Sequence, residues 1–202
     1  MDLTIIEAVL FDMDGTLVDS DAAVERAWRQ WSAEFGVAPE AVLAVAHGAP
    51  AERTVRLVRP DLDEPAVAEA AARQLTLQYD DLSDVVPTPG ALELLAALRL
   101  PWAIVTSADV RLTKARLGAA GITPPLLVTV EDVRVGKPDP EGYLRAAELL
   151  GVAPEHCLVV EDAEVGVTAG RAAGAQVAAL KGVDGDLRIA DLTELTRLLA
   201  AN

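Results

Sequence analysis

Five short apolar segments, separated by longer amphipathic patterns, constrain the fold of this 202-residue sequence more than any other feature. Each segment is rich in Val, Ile and Leu without polar alternation, which is typical of strands buried on both faces of a parallel sheet. Strands are predicted at 8–11, 102–105, 126–130, 158–160 and 177–180. Patterns with a 3.6-residue period predict helices at 91–98, 112–120, 140–150, 165–173 and 192–201. This alternation predicts an α/β fold with a doubly wound, Rossmann-like parallel sheet.

The segment 19–86 interrupts the alternation, because it contains helical patterns and no clear strand. Trp28, Trp31 and Phe35 share one face of a first helix, which we interpret as the hydrophobic core of this segment. An Ala-rich pattern at 65–82 predicts a second helix. We therefore predict an α/β core formed by 1–18 and 87–202, with a small helical domain at 19–86 inserted after the first strand.

The composition excludes several classes of partner. Lys and Arg number 17 against 32 Asp and Glu, and the net charge of −15 disfavours binding to nucleic acid or to an anionic membrane. The single cysteine, Cys157, excludes an internal disulfide and agrees with a reducing compartment. We find no apolar run of about 18 residues, and acidic residues stand where a signal peptide needs basic ones. We expect a cytoplasmic protein that is a monomer or a weak dimer.

The first predicted strand ends in two carboxylates, Asp12 and Asp14, followed by Gly15, which permits a sharp turn. Ligands of α/β sheets bind at this end of the strands. Two close carboxylates repel unless a cation or a shared proton intervenes, and Mg²⁺ prefers such oxygen ligands. A calcium-binding EF-hand loop is a poor alternative, because its twelfth position needs Glu and holds Ala23.

Three further strand ends carry polar residues that suit the same site. Thr106 and Ser107 end the second core strand with hydroxyls, and hydroxyls with free backbone N–H groups suit a phosphate. Lys137 precedes a predicted helix in the segment GKPDP, which lacks the spacing of a Walker A loop. Glu161 and Asp162 follow another buried strand. Each of these residues alone has an ordinary structural explanation. Polar residues at four strand ends in this order argue for one shared site.

These motifs together resemble the haloacid dehalogenase superfamily in its phosphatase branch. The resemblance covers nearly the whole chain: DMDGT at 12–16, Thr106, Lys137 in GKPDP, and the acidic pair in EDAEVGVTAGRAAG. The helical insertion resembles the cap of that family. One departure is Ala163, where many relatives have Ser after the acidic pair, so support for the neighbouring ligands is expected to be weaker.

The resemblance implies a catalytic role for each motif. Asp12 would be the nucleophile that forms an aspartyl phosphate, and Asp14 would protonate the leaving alcohol and then activate water. Lys137 and the Thr106 hydroxyl would bind the phosphoryl oxygens, with Ser107 as a further substrate-binding residue. Of the three lysines in the chain, we expect only Lys137 to lie at a strand end beside a turn.

The resemblance also implies a Mg²⁺ site. Its ligands would be Asp12, Asp14 through its backbone carbonyl, and Asp162, with Glu161 close by or bridged by water. A dehalogenase would need neither Asp14 nor a metal, so this alternative is disfavoured.

The cap segment carries the candidate specificity residues. His47 and Gly48 resemble a cap loop of phosphatases acting on small sugar and polyol phosphates, and Arg53 is a further candidate for substrate binding. No lysine occurs in 19–86, which disfavours phosphonate cleavage through an imine. Ala51 stands where β-phosphoglucomutases place an arginine, although Arg53 or Arg56 could substitute.

We therefore predict a Mg²⁺-dependent phosphatase for a small phosphorylated metabolite, a sugar or polyol phosphate monoester, that works through an aspartyl-phosphate intermediate. A β-phosphoglucomutase-like sugar phosphate mutase is the first alternative. A non-catalytic binding protein that keeps the fold is the second, and it is disfavoured because all four motifs retain chemically competent side chains.

Overall fold

The computed structural model describes residues 2–46 and 50–201, which form two compact units. The first unit comprises Met1–Asp19 with Val86–Asn202, and the second comprises Ser20–Val85. Within the described residues, no helix combines the length and apolar character needed to cross a bilayer.

The first unit is built on a six-stranded sheet in which all neighbouring strands are parallel. Its strands are β1 (Ala8–Phe11), β4 (Trp102–Val105), β5 (Leu127–Val128), β6 (Cys157–Glu161), β7 (Gln176–Ala179) and β8 (Leu187–Arg188). The order is β5-β4-β1-β6-β7-β8, so the winding direction reverses at β1. Every residue of β1 and β6 is buried, as their unalternated apolar sequences predict. The predicted doubly wound α/β fold is confirmed.

Helices connect and cover these strands. They are α5 (Ala91–Ala97), α6 (Val110–Ala119), α7 (Glu141–Leu150), α8 (Glu164–Ala172) and α9 (Leu192–Ala200). Asp109 begins α6, because its side chain accepts a hydrogen bond of 2.7 Å from the backbone N–H of Leu112. Gly151 ends α7 in the left-handed conformation. The helix bounds therefore differ from the sequence predictions by two residues or fewer.

The second unit contains the helices α1 (Asp21–Phe35), α2 (Pro39–Ala46), α3 (Ala51–Val58) and α4 (Glu64–Asp80). The sequence patterns predicted α1 and α4 but not the two short helices between them. Trp28 and Trp31 are buried and make an edge-to-face contact, and Phe35 stacks on Trp31. The Trp31 indole N–H donates to the Ala70 carbonyl at 2.8 Å. The aromatic residues are thus the core of this unit, as the sequence indicated.

Two short strands, both in the first unit, flank the helical segment in the sequence. They are β2 (Val18–Asp19) and β3 (Val86–Pro87), and they pair antiparallel with Asp19 opposite Val86. The Thr88 hydroxyl donates to the Thr16 carbonyl at 2.5 Å. The sequence patterns did not predict this ladder, because two-residue strands carry no periodic signal.

Candidate active site

The loop after β1 begins the site. The backbone N–H of Asp12 donates to the Val160 carbonyl at 3.0 Å, which continues the ladder between β1 and β6 by one residue. Gly15 then takes a φ of 81°, a left-handed conformation that glycine adopts readily. A Cβ at Gly15 would overlap the carboxylate of Asp162, so this position needs glycine for space as well as for conformation. The loop therefore brings the acidic residues of two strand ends together.

Lys137 connects three strand ends. Its Nζ lies 2.5 Å from Asp12 Oδ1 and 2.7 Å from Glu161 Oε1, and it donates to the Val105 carbonyl at 2.9 Å. The lysine side chain is only 9% exposed, and the Glu161 side chain is 1% exposed. A buried ammonium at this position is stable only with such partners, because burial without them carries a high desolvation cost. Residues 125 positions apart in the sequence thus form one ion-pair cluster.

Glu161 is held by its own environment. The Tyr143 hydroxyl donates to Glu161 Oε1 at 2.7 Å, and the backbone N–H groups of Asp162 and Ala163 donate to Oε2 at 3.1 and 3.3 Å. Gly166 on α8 faces the same carboxylate so closely that a Cβ there would overlap it. The glycine therefore makes room for a buried glutamate whose oxygens all have donors.

Asp12, Glu161 and Asp162 offer carboxylate oxygens that lie within 4.8 Å of one another. Burial raises the pKa of Asp12 well above its usual range; the Lys137 ammonium opposes that shift, while the carboxylates of Glu161 and Asp162 add to it. A divalent cation would relieve this crowding of like charges, because it favours the ionised form of each ligand. An all-oxygen donor set of this kind fits Mg²⁺.

Asp14 points to a different partner from Asp12. Its Oδ2 lies 2.7 Å from Arg116 Nη1 on α6, and the Arg116 side chain is 3% exposed. The Asp14 carboxylate is therefore outside the group formed by Asp12, Glu161 and Asp162. Two carboxylates only two residues apart in the sequence therefore have separate partners, Lys137 and Arg116.

The β4 end supplies hydroxyls. Thr106 is buried, and its Oγ1 accepts a hydrogen bond of 3.1 Å from the backbone N–H of Ala108, which leaves the hydroxyl proton available for another acceptor. Ser107 is exposed. Thr106, Ser107 and Lys137 are among the residues that line one cavity. The structure therefore brings both predicted hydroxyls and the predicted lysine to one place.

Sequence reasoning missed three residues of this region: Arg116, Tyr143 and Lys181. Lys181 Nζ lies 3.0 Å from Asp162 Oδ2. The expectation that only Lys137 lies at a strand end beside a turn was wrong, because Lys181 follows β7 closely and precedes Gly182. Its position directly after the predicted strand at 177–180 was the available signal. Arg116 and Tyr143 lie on helices, where sequence spacing alone gives no sign of their partners.

The predicted cap residues have different outcomes. His47 and Gly48 lie outside the described residues. Arg53 is exposed on α3, and the neighbouring Glu52 contacts Arg56 at 3.4 Å. The substrate-binding role of Arg53 stays a prediction.

Comparison with known proteins agrees with this geometry. The chain is 45% identical over 175 residues to hexitol phosphatase A of Escherichia coli, covering 85% of this chain and 81% of that protein. It is 37% identical to 2-deoxyglucose-6-phosphate phosphatase 1 of Saccharomyces cerevisiae, covering 82% and 76%. The structure of a putative beta-phosphoglucomutase from Thermotoga maritima is similar with a TM-score of 0.74 and 27% identity, covering 97% and 99%.

The similarities to hexitol phosphatase A and to the Thermotoga maritima structure extend over most of both chains, so they are not limited to a single motif. Residues 6–174 match the family described as haloacid dehalogenase-like hydrolase, and this range contains all four strand-end motifs. The resemblance inferred from those motifs is thereby confirmed, and the chain belongs to the haloacid dehalogenase-like hydrolases.

Proposed function

We propose that this chain, a phosphoric-monoester hydrolase of that family, uses Mg²⁺ and an aspartyl-phosphate intermediate to release phosphate from small sugar or polyol phosphates. The observation that carries the proposal is the cluster of Asp12, Lys137 and Glu161, with Asp162 beside it. We assign these residues the parts that phosphoryl transfer needs: an attacking carboxylate, a phosphate-binding cation and a metal-binding acid pair.

Asp12 is the nucleophile in this proposal. One of its carboxylate oxygens attacks phosphorus, the bond from phosphorus to the substrate oxygen breaks, and the leaving alcohol takes a proton from Asp14. In the second step Asp14 accepts a proton from water, which attacks the same phosphorus and frees Asp12. The Asp14 carboxylate pairs with Arg116, which leaves it outside the group of carboxylates proposed to hold the metal.

Lys137 and Thr106 stabilise the transferred group. The Lys137 ammonium, already in contact with Asp12, is placed to neutralise charge that develops on the phosphoryl oxygens. The Thr106 hydroxyl, whose oxygen accepts from Ala108, has its proton available for the same oxygens. Ser107, on the same cavity, is a further phosphate contact in this proposal.

The proposed metal ligands are Asp12, Glu161 and Asp162, with Asp14 contributing its backbone carbonyl. When bound, Mg²⁺ would neutralise charge on the phosphoryl oxygens and orient the phosphate for in-line attack. Tyr143 and the backbone N–H groups of Asp162 and Ala163 hold Glu161 in position for this role. We further propose that the helical unit is the cap and that His47, Gly48 and Arg53 contribute to substrate choice.

The substrate class is supported by the names of the relatives. Hexitol phosphatase A and 2-deoxyglucose-6-phosphate phosphatase 1 are named for a phosphorylated polyol and a phosphorylated sugar. The net charge of −15 gives no support to a nucleic-acid substrate. We propose a protein that acts in the cytoplasm as a monomer or weak dimer.

A phosphate-release panel with Mg²⁺ tests the proposal. It should include hexitol phosphates, hexose 6-phosphates, pentose phosphates, glycerol phosphate and phosphoglycolate. We expect the highest kcat/KM on a hexitol or hexose phosphate, and loss of turnover by at least about a thousandfold in Asp12→Asn with the fold retained. Undetectable turnover across the panel, or wild-type turnover by Asp12→Asn, would contradict it.

The mutase alternative is favoured by one observation, the similarity to the Thermotoga maritima structure titled as a putative beta-phosphoglucomutase. A mutase would return its phosphoryl group to a sugar, so turnover would need a sugar bisphosphate and phosphoenzyme hydrolysis would be slow. Measuring isomerised sugar phosphate beside free phosphate, with and without a sugar bisphosphate, separates the two activities.

A further inference from the structure

Lys181 has an unusual backbone for a lysine. Its φ is 51°, and among the described residues it is the one non-glycine residue with a positive φ. Side chains other than glycine rarely adopt this left-handed conformation, and such strain is concentrated at functional sites. The residue follows β7, whose last residue, Ala179, pairs with Glu161 at the end of β6. The conformation therefore occurs beside the acidic pair.

The ammonium of Lys181 lies within the proposed metal site. Its Nζ is 3.0 Å from Asp162 Oδ2, and a Cβ built on Gly15 would be 2.7 Å from the same Nζ. The lysine head thus lies against both the glycine turn after β1 and the carboxylate after β6. Asp162 also accepts from the Thr16 hydroxyl at 3.4 Å.

The two lysines of the site differ in their surroundings. Lys137 is 9% exposed and contacts Asp12, Glu161 and a backbone carbonyl, so it is a fixed part of the site. Lys181 is 44% exposed. A side chain that is nearly half exposed can move its ammonium into water, whereas the Asp162 carboxylate, 12% exposed, then needs another cation.

We infer that Lys181 is a displaceable counterion of Asp162. The lysine neutralises this carboxylate when no divalent cation is bound, and its ammonium moves away from the carboxylate when a divalent cation binds. The inference rests on the proposed function only in assigning Asp162 as a metal ligand. A positive charge beside a ligand oxygen competes for that oxygen and repels a second cation. Lys181 therefore weakens metal affinity and makes occupancy depend on the metal concentration.

The test measures metal binding directly. Isothermal titration with Mg²⁺, and with Mn²⁺ followed by electron paramagnetic resonance, gives Kd for the wild type, Lys181→Met and Lys114→Met. Lys114 is an exposed lysine on α6, so its variant has the same change in net charge and serves as the matched control. We expect Kd to fall threefold to tenfold in Lys181→Met and to stay within twofold of the wild type in Lys114→Met.

Further variants separate electrostatics from structure. Lys181→Arg keeps the positive charge and is expected to keep Kd near the wild-type value, and thermal melting without metal shows whether each variant is folded. Asp162→Asn is expected to weaken binding at least tenfold. An unchanged or higher Kd in folded Lys181→Met overturns the inference, and so does the absence of measurable binding in both wild type and Lys181→Met.

A spectroscopic readout on the wild-type protein complements the binding measurements. The chain contains only three lysines, so their ammonium ¹⁵N signals form a small set that can be assigned with the lysine variants. Addition of Mg²⁺ is expected to shift the Lys181 signal and leave that of Lys114 in place; an unmoved Lys181 signal at saturation counts against displacement. Neither the binding measurement nor the spectrum requires turnover. Both can therefore succeed or fail independently of the phosphatase proposal, whose failure would be seen only in the substrate panel.

Discussion

The two units of the molecule use charged side chains in opposite ways. In the sheet unit, Lys137 and Glu161 are buried, and their ion pairs join segments far apart in the sequence. In the helical unit, Arg56 and Arg73 pair with glutamates at the surface, around a core of aliphatic and aromatic residues. Buried ion pairs seldom add net stability, whereas they are common where charge is needed for chemistry. Under the proposed function, charge serves reactivity in the sheet unit, whereas in the helical unit it adds only modest stability.

Removing the buried ammonium gives the largest expected effect. Lys137→Met leaves Asp12 and Glu161 without their cation, so we expect phosphate release to fall by about 100- to 1,000-fold. The free energy of unfolding should fall by about 3 kcal/mol, because the remaining buried carboxylates lose their partner. Steady-state kinetics and urea unfolding measure both quantities. Lys114→Met is the control. Equal losses of activity and of unfolding free energy in the two variants would contradict the difference between buried and exposed charge.

A smaller steric change tests the same cluster without altering a charge. Gly166→Ala forces the Glu161 carboxylate to move, because the new methyl group would overlap it. We expect a loss of about 1–3 kcal/mol in unfolding free energy and weaker Mg²⁺ binding. Gly118→Ala on α6 is the matched control, since a Cβ there meets open space, and it should gain up to about 1 kcal/mol. If Gly166→Ala also gained stability, the close packing around Glu161 would be contradicted.

In the helical unit the corresponding test concerns a neutral buried hydrogen bond. Trp31→Phe removes the indole donor to the Ala70 carbonyl, which keeps only its bond within α4, and leaves a smaller ring in the buried core. We expect a loss of about 1–2 kcal/mol in unfolding free energy, measured by urea denaturation. Trp28→Phe shortens a neighbouring indole in the same core and is the control, because its N–H has no hydrogen-bond partner among the described residues. If both variants lost the same unfolding free energy, the effect would come from packing alone and not from the hydrogen bond.

The surface pair between Arg73 and Glu34 gives the smallest expected effect. Two hydrogen bonds of 2.7 and 2.8 Å from the Arg73 guanidinium lower the pKa of Glu34 below its usual value. Because the folded-state pKa is the lower one, the stabilisation is present at neutral pH and is lost as the pH falls through the acid range. Arg73→Ala should therefore lower the melting temperature slightly at pH 7, and less at pH 3 or in 1 M salt. A larger change than in Lys137→Met would reverse the comparison.

Sequence patterns predicted the sheet well where strands are buried on both faces. The bounds of β1 and β4 match the prediction, because a strand with neighbours on both sides is apolar along its whole length. The predicted strand at 126–130 is reduced to β5, which lies at the sheet edge and is followed at once by a short 3₁₀ turn at Val130–Asp132. The edge strand β8 was missed for the same reason, since one-sided pairing leaves a weak pattern.

The site was predictable to the extent that its residues follow strands. Asp12, Thr106 and Glu161 each come directly after or at the end of a buried strand, so topology alone predicts that they meet. Arg116 and Tyr143 reach the same region from helices, and their partners depend on helix rotation and packing, which single-sequence patterns do not specify. The separate orientation of Asp14 likewise goes with its contact to Arg116 on a helix.

The pairing of Asp19 with Val86 has a consequence for how such enzymes diversify. A polypeptide that leaves and rejoins a scaffold at neighbouring backbone positions can be exchanged as a cassette, because the scaffold retains its own hydrogen bonds at the junction. If the helical unit is the cap proposed above, grafting a different helical segment between these two residues should leave the acidic cluster intact and change which substrates are accepted. The two-residue ladder is therefore a junction at which the inserted segment can be exchanged.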